Sequence, residues 1–262
     1  MKKRMKKIMM LLATTMLLFG VSGQAMASLT ASDLIRVVYK YDGSGVEVAT
    51  DLAGATGWTS GSAITSPVTY NTDNFLLSQF TGSAWGDLRV AYYANTPLGV
   101  PGVPSGSFWF SGPDGGMDNS ASKKSLLTTG LSQMNGVYST AMGTGKQGTI
   151  QSTNDSSYYK KMNLNGTNIG SWGSYVGNGM GVKSLADLGT TGFVDQYLYY
   201  YPSATSNNAG TGVQVAKIRT YADGTTQVSA VSQVPEVPVP AALYLFGTGL
   251  LGLIGIRRKK AA

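Results

Sequence analysis

Short segments of alternating apolar and polar residues, separated by glycine-rich turns, are the feature that most restricts the fold of this chain. Residues 35–41, 88–94 and 193–201 follow this pattern, and in the first of them Ile35 and Val37 point to the same side. A period of two residues is typical of a β-strand with one face against a core. Because such segments recur along the chain, they predict a protein built mainly from β-strands.

Tight turns join two pairs of these segments into predicted hairpins. Residues 42–45 (Asp-Gly-Ser-Gly) connect the first strand to residues 46–50. Residues 222–224 (Ala-Asp-Gly) connect residues 213–221 to residues 225–231. Because Asp-Gly accepts the positive φ that a tight turn requires, the second pair is the strongest hairpin signal in the chain.

Weaker patterns complete the expected fold. They predict two further strands at residues 75–80 and 108–110. They also predict two short helices at residues 122–134 and 182–188, and two long polar loops at residues 142–157 and 203–211. Many short strands with little helix are typical of a β-sandwich or jelly roll. We therefore expect one antiparallel domain of this mainly β class over residues 28–231.

The first 27 residues have the three parts of a secretion signal. Residues 2–7 are basic, residues 8–21 are apolar, and Ala25 and Ala27 supply the small residues that signal peptidase needs. The alternative is an uncleaved membrane anchor, but that requires about 20 apolar residues. We expect passage through the general export machinery and cleavage after Ala27.

The end of the chain combines prolines, an apolar run and a basic cluster. Residues 232–240 are proline-rich and predict an extended stalk, because proline cannot continue a helix backwards. The apolar residues 241–256 would rise about 24 Å as a helix, close to the thickness of a thin bilayer core. The basic residues that follow predict a cytoplasmic tail at 257–262. A buried core helix is the alternative for 241–256.

This C-terminal arrangement resembles the PEP-CTERM sorting signal, in its VPxPAA variety. The resemblance is carried by the run from Val237 to Arg258 and implies processing by an exosortase. It assigns sorting and topology roles to these residues: Pro235, Glu236, Pro238, Pro240, Arg257, Arg258, Lys259 and Lys260. Val237 follows Glu236 where the plain motif has proline, which leaves the cleavage position open. Sortase and rhombosortase tails share the layout, but their Leu-Pro-x-Thr-Gly and Gly-Gly motifs are missing here.

Composition narrows the function of residues 28–231. The formal charge of +7 comes from the basic residues at the two ends of the chain. Between them, with Glu236 of the C-terminal segment set aside, 11 basic residues face 12 acidic ones. This balance argues against nucleic-acid binding. Cysteine and histidine are absent, which excludes disulfides, thiolate sites and histidine-based catalysis. Glu47 is the only glutamate of this region, whereas glycoside hydrolysis needs two positioned carboxylates. We therefore expect a protein that is not an enzyme.

Two kinds of ligand remain candidates. Asp114 with Asp118, or Asp42 with Glu47, could offer oxygens to Ca²⁺, although Asp-Gly turns need no metal. The four tryptophans and many tyrosines could stack on sugars, although aromatic residues also fill β-sheet cores. We expect no cofactor and keep calcium as an open alternative.

These inferences predict a protein exported across the inner membrane, held there transiently by its C-terminal helix, and then located in the cell envelope or outside the cell. Its expected role is structural or interactive, in an exopolysaccharide matrix or biofilm. Expected partners are signal peptidase, an exosortase, the membrane and a polysaccharide, with no nucleic acid. A lectin-like carbohydrate-binding module is the first alternative, and an unidentified hydrolase is the second.

Overall fold

The computed structural model describes residues 29, 33–55, 57–60, 63–96, 103–114, 118–163, 181–202 and 208–231. Within these residues the protein is mainly β. The strands are β1 (Asp33–Lys40), β2 (Val46–Gly54), β3 (Val68–Tyr70), β4 (Leu88–Asn95), β5 (Phe108–Gly112), β6 (Asp118–Lys123), β7 (Gln147–Gln151), β8 (Lys183–Ser184), β9 (Phe193–Tyr201), β10 (Asn208–Thr211), β11 (Val213–Tyr221) and β12 (Thr226–Ser229).

Helical structure is minor in the described residues. One α-helix, α1 (Lys124–Met142), follows β6 directly. The remaining helical segments are single turns: 3-10 turns at Leu77–Gln79, Trp85–Asp87 and Ala186–Gly189, and a π-turn at Tyr159–Asn163.

One antiparallel sheet organises the described part of the chain. Nine strands follow the order β3-β12-β11-β9-β5-β4-β1-β2-β7, and β8 pairs with part of β4. Strands β6 and β10 form a separate antiparallel pair. Strand β1 therefore lies inside the sheet, third from the β7 edge, and β12 lies next to the opposite edge strand β3.

The sheet is curled into a half-barrel. Strands β4 and β12 are four positions apart, which would separate them by roughly 19 Å in a flat sheet. Nevertheless, the Tyr92 hydroxyl on β4 lies 3.0 Å from the Thr226 hydroxyl on β12. The face that carries these two residues is therefore concave, and we call it the inner face.

Both faces of the central strands are buried. The inner face carries Val38, Val90 and Leu198 within one apolar cluster. The outer face carries Val37 and Tyr93 within a second cluster, which also contains these residues of α1: Leu127, Leu131, Met134, Tyr138 and Met142. The helix thus covers the outer face, and this double burial explains why six consecutive residues of β1 are buried.

The structure confirms a mainly β, antiparallel protein and most of the strongest strand signals. The hairpins β1–β2 and β11–β12 form as predicted, and β4, β5 and β9 lie where the alternating and apolar runs placed them. The layers differ from a sandwich of two packed sheets, because a single curled sheet closes over its own inner core. The helix, instead of a second sheet, covers the outer face.

Five weaker expectations are corrected. Residues 75–80 contain a 3-10 turn and no strand, because they form a loop from which Phe75 and Phe80 pack into the inner core. Helix α1 continues to Met142, past the expected end at 134. Residues 182–188 hold β8 and the start of a 3-10 turn. The two expected loops contain strands β7 and β10, respectively.

No helix among the described residues is long and apolar enough to cross a membrane. The predicted signal peptide, the stalk, the helix at 241–256 and the tail at 257–262 all lie outside those residues.

Candidate functional site

The residues of the predicted sorting signals lie outside the described part of the chain. They are Ala25, Ala27, Pro235, Glu236, Pro238, Pro240, Arg257, Arg258, Lys259 and Lys260. Their roles therefore remain predictions from the sequence. The described residues bear on the other candidates, namely the carboxylates, the aromatic residues and the cavities.

The carboxylates considered for calcium lie in different environments. Asp42 is exposed in the β1–β2 turn, where its carboxylate accepts hydrogen bonds from the backbone and hydroxyl of Ser44 at 2.8 and 2.7 Å. Glu47 is fully buried on β2. Asp114 is exposed after β5 and Asp118 begins β6. The structure does not bring Asp42 and Glu47 together on one accessible surface, and calcium at Asp114 and Asp118 stays a prediction.

Three tryptophans pack into or against the inner core. Trp109 on β5 is fully buried, and its indole N–H donates to the Trp58 carbonyl oxygen at 2.6 Å. Trp58 and Trp85 are half-buried against the same cluster, with the Trp85 ring edge-on to Phe75. Trp172 lies outside the described residues. These three side chains therefore serve the core and do not form a flat exposed platform for sugars.

Glu47 accepts hydrogen bonds from several buried groups. The Tyr138 hydroxyl of α1 donates to its carboxylate, and the backbone N–H groups of Tyr158 and Tyr159 donate at 2.8 Å each. Tyr159 begins the π-turn Tyr159–Asn163 and Tyr158 directly precedes it, so the carboxylate caps that turn. Glu47 thereby joins β2, α1 and the π-turn and is positioned as a structural group.

Burial controls the ionisation of two carboxyl groups. Desolvation raises the pKa of Glu47 to about 6, and the three donated hydrogen bonds only partly oppose this. Desolvation, reinforced by the nearby charge of Asp33, also raises the pKa of Asp51 on β2 to about 6, against the opposing effect of Lys146. Both groups therefore titrate at higher pH than ordinary surface carboxyls.

The inner face contains a fully buried arginine. The Arg36 guanidinium on β1 donates to the Gly224 carbonyl oxygen, to the Thr226 hydroxyl at 2.9 Å, and to the Thr50 hydroxyl and Asp73 carbonyl oxygen at 3.1 Å each. It also lies 4.8 Å from the centre of the Phe75 ring. Burial lowers the pKa of Arg36, while Tyr92 and Asp73 oppose that shift. The cation is therefore held mainly by neutral oxygens.

Polar side chains connect the two edges of the curled sheet. Gln147 on edge strand β7 donates to the Asp73 carbonyl oxygen, beyond β3, at 2.8 Å. Its own side-chain oxygen accepts from Gln79 at 2.9 Å. We call Arg36, Asp73, Gln79 and Gln147 the seam. The seam joins edge strand β7 to the segment that follows β3 at the opposite end of the sheet order, so these residues stabilise the curled sheet.

An ion-paired patch occupies the outer face of β9 and β11. The Asp195 carboxylate forms ion pairs with the Arg219 guanidinium at 2.7 Å and the Lys217 ammonium at 2.8 Å. All three side chains are about one-third exposed. The Arg219 guanidinium also lies 3.8 Å from the centre of the Phe193 ring. Burial alone would raise the pKa of Asp195, but the hydrogen bonds from both cations hold it below its usual value. The patch therefore pairs two cations with one carboxylate and keeps one uncompensated positive charge.

An open cavity of about 430 Å³ lies between the first turns of α1 and the ends of β4 and β5; we call it the α1 pocket. The residues that line it carry hydroxyl, amide or backbone groups: Asn95, Thr96, Ser105, Gly106, Thr128, Thr129, Ser132 and Gln133. None of these described lining residues is ionisable, and none is aromatic. The pocket therefore offers neutral hydrogen-bonding groups.

The floor of the α1 pocket is fixed by backbone and side-chain hydrogen bonds. Thr96 is 3% exposed, and its hydroxyl donates to the Ser107 carbonyl oxygen at 2.7 Å. Asn95 is 6% exposed and accepts from the Asn135 amide of α1 at 2.7 Å. Gly106 has φ of 74° and donates its N–H to the Thr96 carbonyl oxygen at 3.1 Å. This left-handed glycine brings the chain back against the end of β4.

Sequence patterns could not have indicated this pocket. Its lining comes from three separate segments around residues 95–96, 105–106 and 128–133, and only the fold brings them together. No metal-ligand cluster of three or more acidic, histidine or cysteine residues occurs within the described ranges. No protein-family model, curated protein sequence or solved structure matches this chain.

Proposed function

We propose that this chain is an exported protein sorted through its C-terminus, with a structural or interaction role in an extracellular polysaccharide matrix. The observation that carries the proposal is the order of the proline-bearing residues 235–240, the apolar run 241–256 and the basic cluster 257–260. The apolar run holds the precursor in the inner membrane, with the basic cluster on the cytoplasmic side. An exosortase then cuts near the prolines and releases the body to the cell envelope or beyond.

The body suits a role that does not depend on catalysis. Its most buried carboxylate, Glu47, is engaged by three donors, and its buried Arg36 is engaged by four oxygens. Both groups hold elements of the fold together. The sheet presents paired polar and aromatic side chains outward, such as Asp195 with Arg219, which favours contacts with polar polymers.

The sorting proposal is tested by deleting residues 235–262 and comparing the product with the wild-type chain. We expect the wild-type protein to lose its C-terminal segment and reach the envelope, and the deletion variant to appear in a different fraction. Mass spectrometry locates each mature C-terminus, and fractionation locates each product. A variant with residues 257–260 changed to alanine keeps the apolar run and serves as the matched control for topology. The same compartment and the same mature C-terminus for all three chains would refute sorting.

A lectin-like carbohydrate-binding module is the second candidate. The α1 pocket supports it, because its neutral donors and acceptors match the hydroxyl groups of sugars. A glycan array probed with the full chain tests this candidate, and we expect selective rather than uniform binding. The tryptophans are unsuitable targets for this test, because replacing Trp109 would damage the core.

A further inference from the structure

We propose that the α1 pocket is a binding site for neutral sugars, so that the protein would recognise an uncharged part of a polysaccharide. This inference rests on the second candidate function and assigns to it both a site and a ligand class. It is carried by the chemistry of the lining, the fixed floor and the size of the cavity.

The lining selects a ligand that both donates and accepts hydrogen bonds. The exposed side chains of Ser132 and Gln133 can each do both, as can the hydroxyl groups of a sugar. The buried Asn95 side chain already bonds to Asn135 and Ser132 and fixes the floor. No apolar or aromatic side chain lies among the described lining residues. The exposed surface of the pocket therefore combines hydrogen-bonding groups with aliphatic carbon atoms, as the surface of a sugar does.

The described lining residues carry no charge, so the pocket should bind neutral sugars in preference to acidic ones. A carboxylate placed in the pocket would lose water without meeting a cation among the described lining residues, which is unfavourable. An ammonium group would similarly lack a carboxylate partner. Hexoses and short neutral oligosaccharides fit this constraint, whereas uronic acids do not.

The geometry provides both a wall and a floor. Thr128, Thr129, Ser132 and Gln133 share one face of α1, because they are spaced by one, four and five residues. Opposite them, the buried Asn95 joins the helix to the sheet through Asn135. A cavity of about 430 Å³ is within the range of small-molecule sites. The wall and floor are thus set before a ligand arrives.

Binding by hydrogen bonds alone predicts weak affinity for one sugar and stronger binding to a polymer. Each neutral hydrogen bond contributes modestly in water, because it replaces a hydrogen bond to solvent. Many copies of the protein on a surface would engage many repeats of one polysaccharide, which raises the apparent affinity. Repeating neutral glycans should therefore bind more tightly than their monosaccharides.

The test uses the purified full chain and two tryptophan substitutions on α1. Ser132→Trp fills the pocket, whereas Thr140→Trp adds the same bulk at an exposed position two turns further along the helix. The probes are arrayed neutral gluco-, galacto- and manno-oligosaccharides and their uronic-acid counterparts, followed by calorimetric titration of the best binder. We expect neutral selectivity, at least about tenfold weaker binding by Ser132→Trp, and nearly unchanged binding by Thr140→Trp.

A milder variant keeps the test decisive if Ser132→Trp disturbs folding. Ser132→Ala removes one hydroxyl, which accepts a long hydrogen bond of 3.4 Å from the Asn95 amide. It should weaken binding by about two- to tenfold and lower the free energy of unfolding by at most about 1 kcal/mol. Neutral-sugar binding that is insensitive to both substitutions overturns the site but leaves the lectin candidate standing. Binding to no glycan overturns both the site and the lectin candidate, while binding to uronic acids alone overturns the neutral ligand class. The sorting proposal is unaffected by these results, because its readout is the mature C-terminus.

Discussion

At the residue scale, Arg36 shows how a charge can be buried without a carboxylate contact. Four oxygens from β2, the loop after β3, the β11–β12 turn and β12 accept its hydrogen bonds. The Arg36 Nε atom has no partner among the described residues. A guanidinium spreads five N–H donors over three nitrogen atoms, whereas an ammonium group carries three on a single atom and cannot span acceptors this far apart. The charged side chain therefore acts as a brace across the inner face.

Replacing Arg36 should strongly destabilise the protein. Arg36→Met keeps the apolar bulk but leaves the buried Gly224 carbonyl oxygen and the partly buried Asp73 carbonyl oxygen without this donor, so we expect a loss of about 2–5 kcal/mol in the free energy of unfolding. Arg36→Lys should recover little of it. Denaturant unfolding monitored by tryptophan fluorescence measures the change. Arg219→Met, at a one-third exposed position, is the control and should cost at most about 1 kcal/mol. Equal losses in the two variants would contradict the brace.

The raised pKa values of Glu47 and Asp51 predict a pH-dependent stability. An acid whose pKa is higher in the folded state holds its proton more tightly there, so its favourable contribution is present at low pH and is lost as the pH rises. For Glu47 this window extends from about 4.5 to about 6, and for Asp51 from about 3.8 to about 6. We expect a larger free energy of unfolding at pH 5 than at pH 7.5, with Glu47 contributing about 2 kcal/mol over its whole window.

A Glu47→Gln variant tests the assignment, because it cannot titrate. Its unfolding free energy should change less between pH 7.5 and pH 5 than that of the wild-type chain. Asp195 acts in the opposite direction and at lower pH, because its pKa is depressed and its ion pairs are lost on acidification. An unchanged pH dependence in Glu47→Gln would show that other groups dominate.

At the element scale, helix α1 and edge strand β7 are held together by a close backbone approach. A Cβ atom built on Gly148 would lie 2.7 Å from the Met142 backbone nitrogen and 2.8 Å from the Ala141 carbonyl carbon. Only glycine allows β7 to lie this close to the last turn of the helix. On the same helix, by contrast, a Cβ at Gly136 would meet nothing within 4 Å.

The two glycines should therefore respond in opposite directions to alanine. Gly148→Ala should destabilise the protein by about 1–3 kcal/mol, because backbone atoms must move apart. Gly136→Ala should stabilise it by about 0.5–1 kcal/mol, because glycine is unfavourable inside a helix. Thermal and denaturant unfolding of both variants provide the comparison. If Gly148→Ala stabilised the protein instead, strand β7 and the last turn of α1 would have to lie further apart than this close backbone approach requires.

The same elements show what the sequence could and could not predict. Strand β1 was predictable, since its alternating residues pack into two different cores. Strand β7 was not, because Gln147–Gln151 contains a single large apolar residue and is placed by pairing with β2. The end of α1 was misplaced because Gly136 and several serines and threonines weaken its helical pattern. The α1 pocket depends on three segments that meet only in the folded chain.

At the scale of the whole molecule, the seam determines how far the sheet curls. Local sequence patterns specify strands but carry little information on curvature, which here depends on contacts such as Gln147 with Asp73. Those contacts join strand β7 to the loop after β3, the two ends of the sheet order. This is why the antiparallel class could be predicted while the single curled sheet could not.

Removing the Gln147 side-chain amide should loosen both sheet edges. In Gln147→Leu the Asp73 and Gln79 contacts are lost, so we expect faster amide hydrogen exchange in β3 and β7 and about 1 kcal/mol less stability. Gln151→Leu, at the exposed far end of β7, is the matched control. Equal exchange rates in the two variants would show that the seam does not hold the edges.

The brace formed by Arg36 also affects when the protein can finish folding. Its partner Gly224 lies 188 residues further along the chain, and Thr226 lies 190 residues further. Because a polypeptide is synthesised from its N-terminus, β1 emerges long before either acceptor exists. Until β12 is available, the early strands would have to bury the Arg36 guanidinium with only two of its four oxygen acceptors, which disfavours premature closure of the sheet. We therefore expect the sheet to close only once the β11–β12 hairpin is available to supply these acceptors.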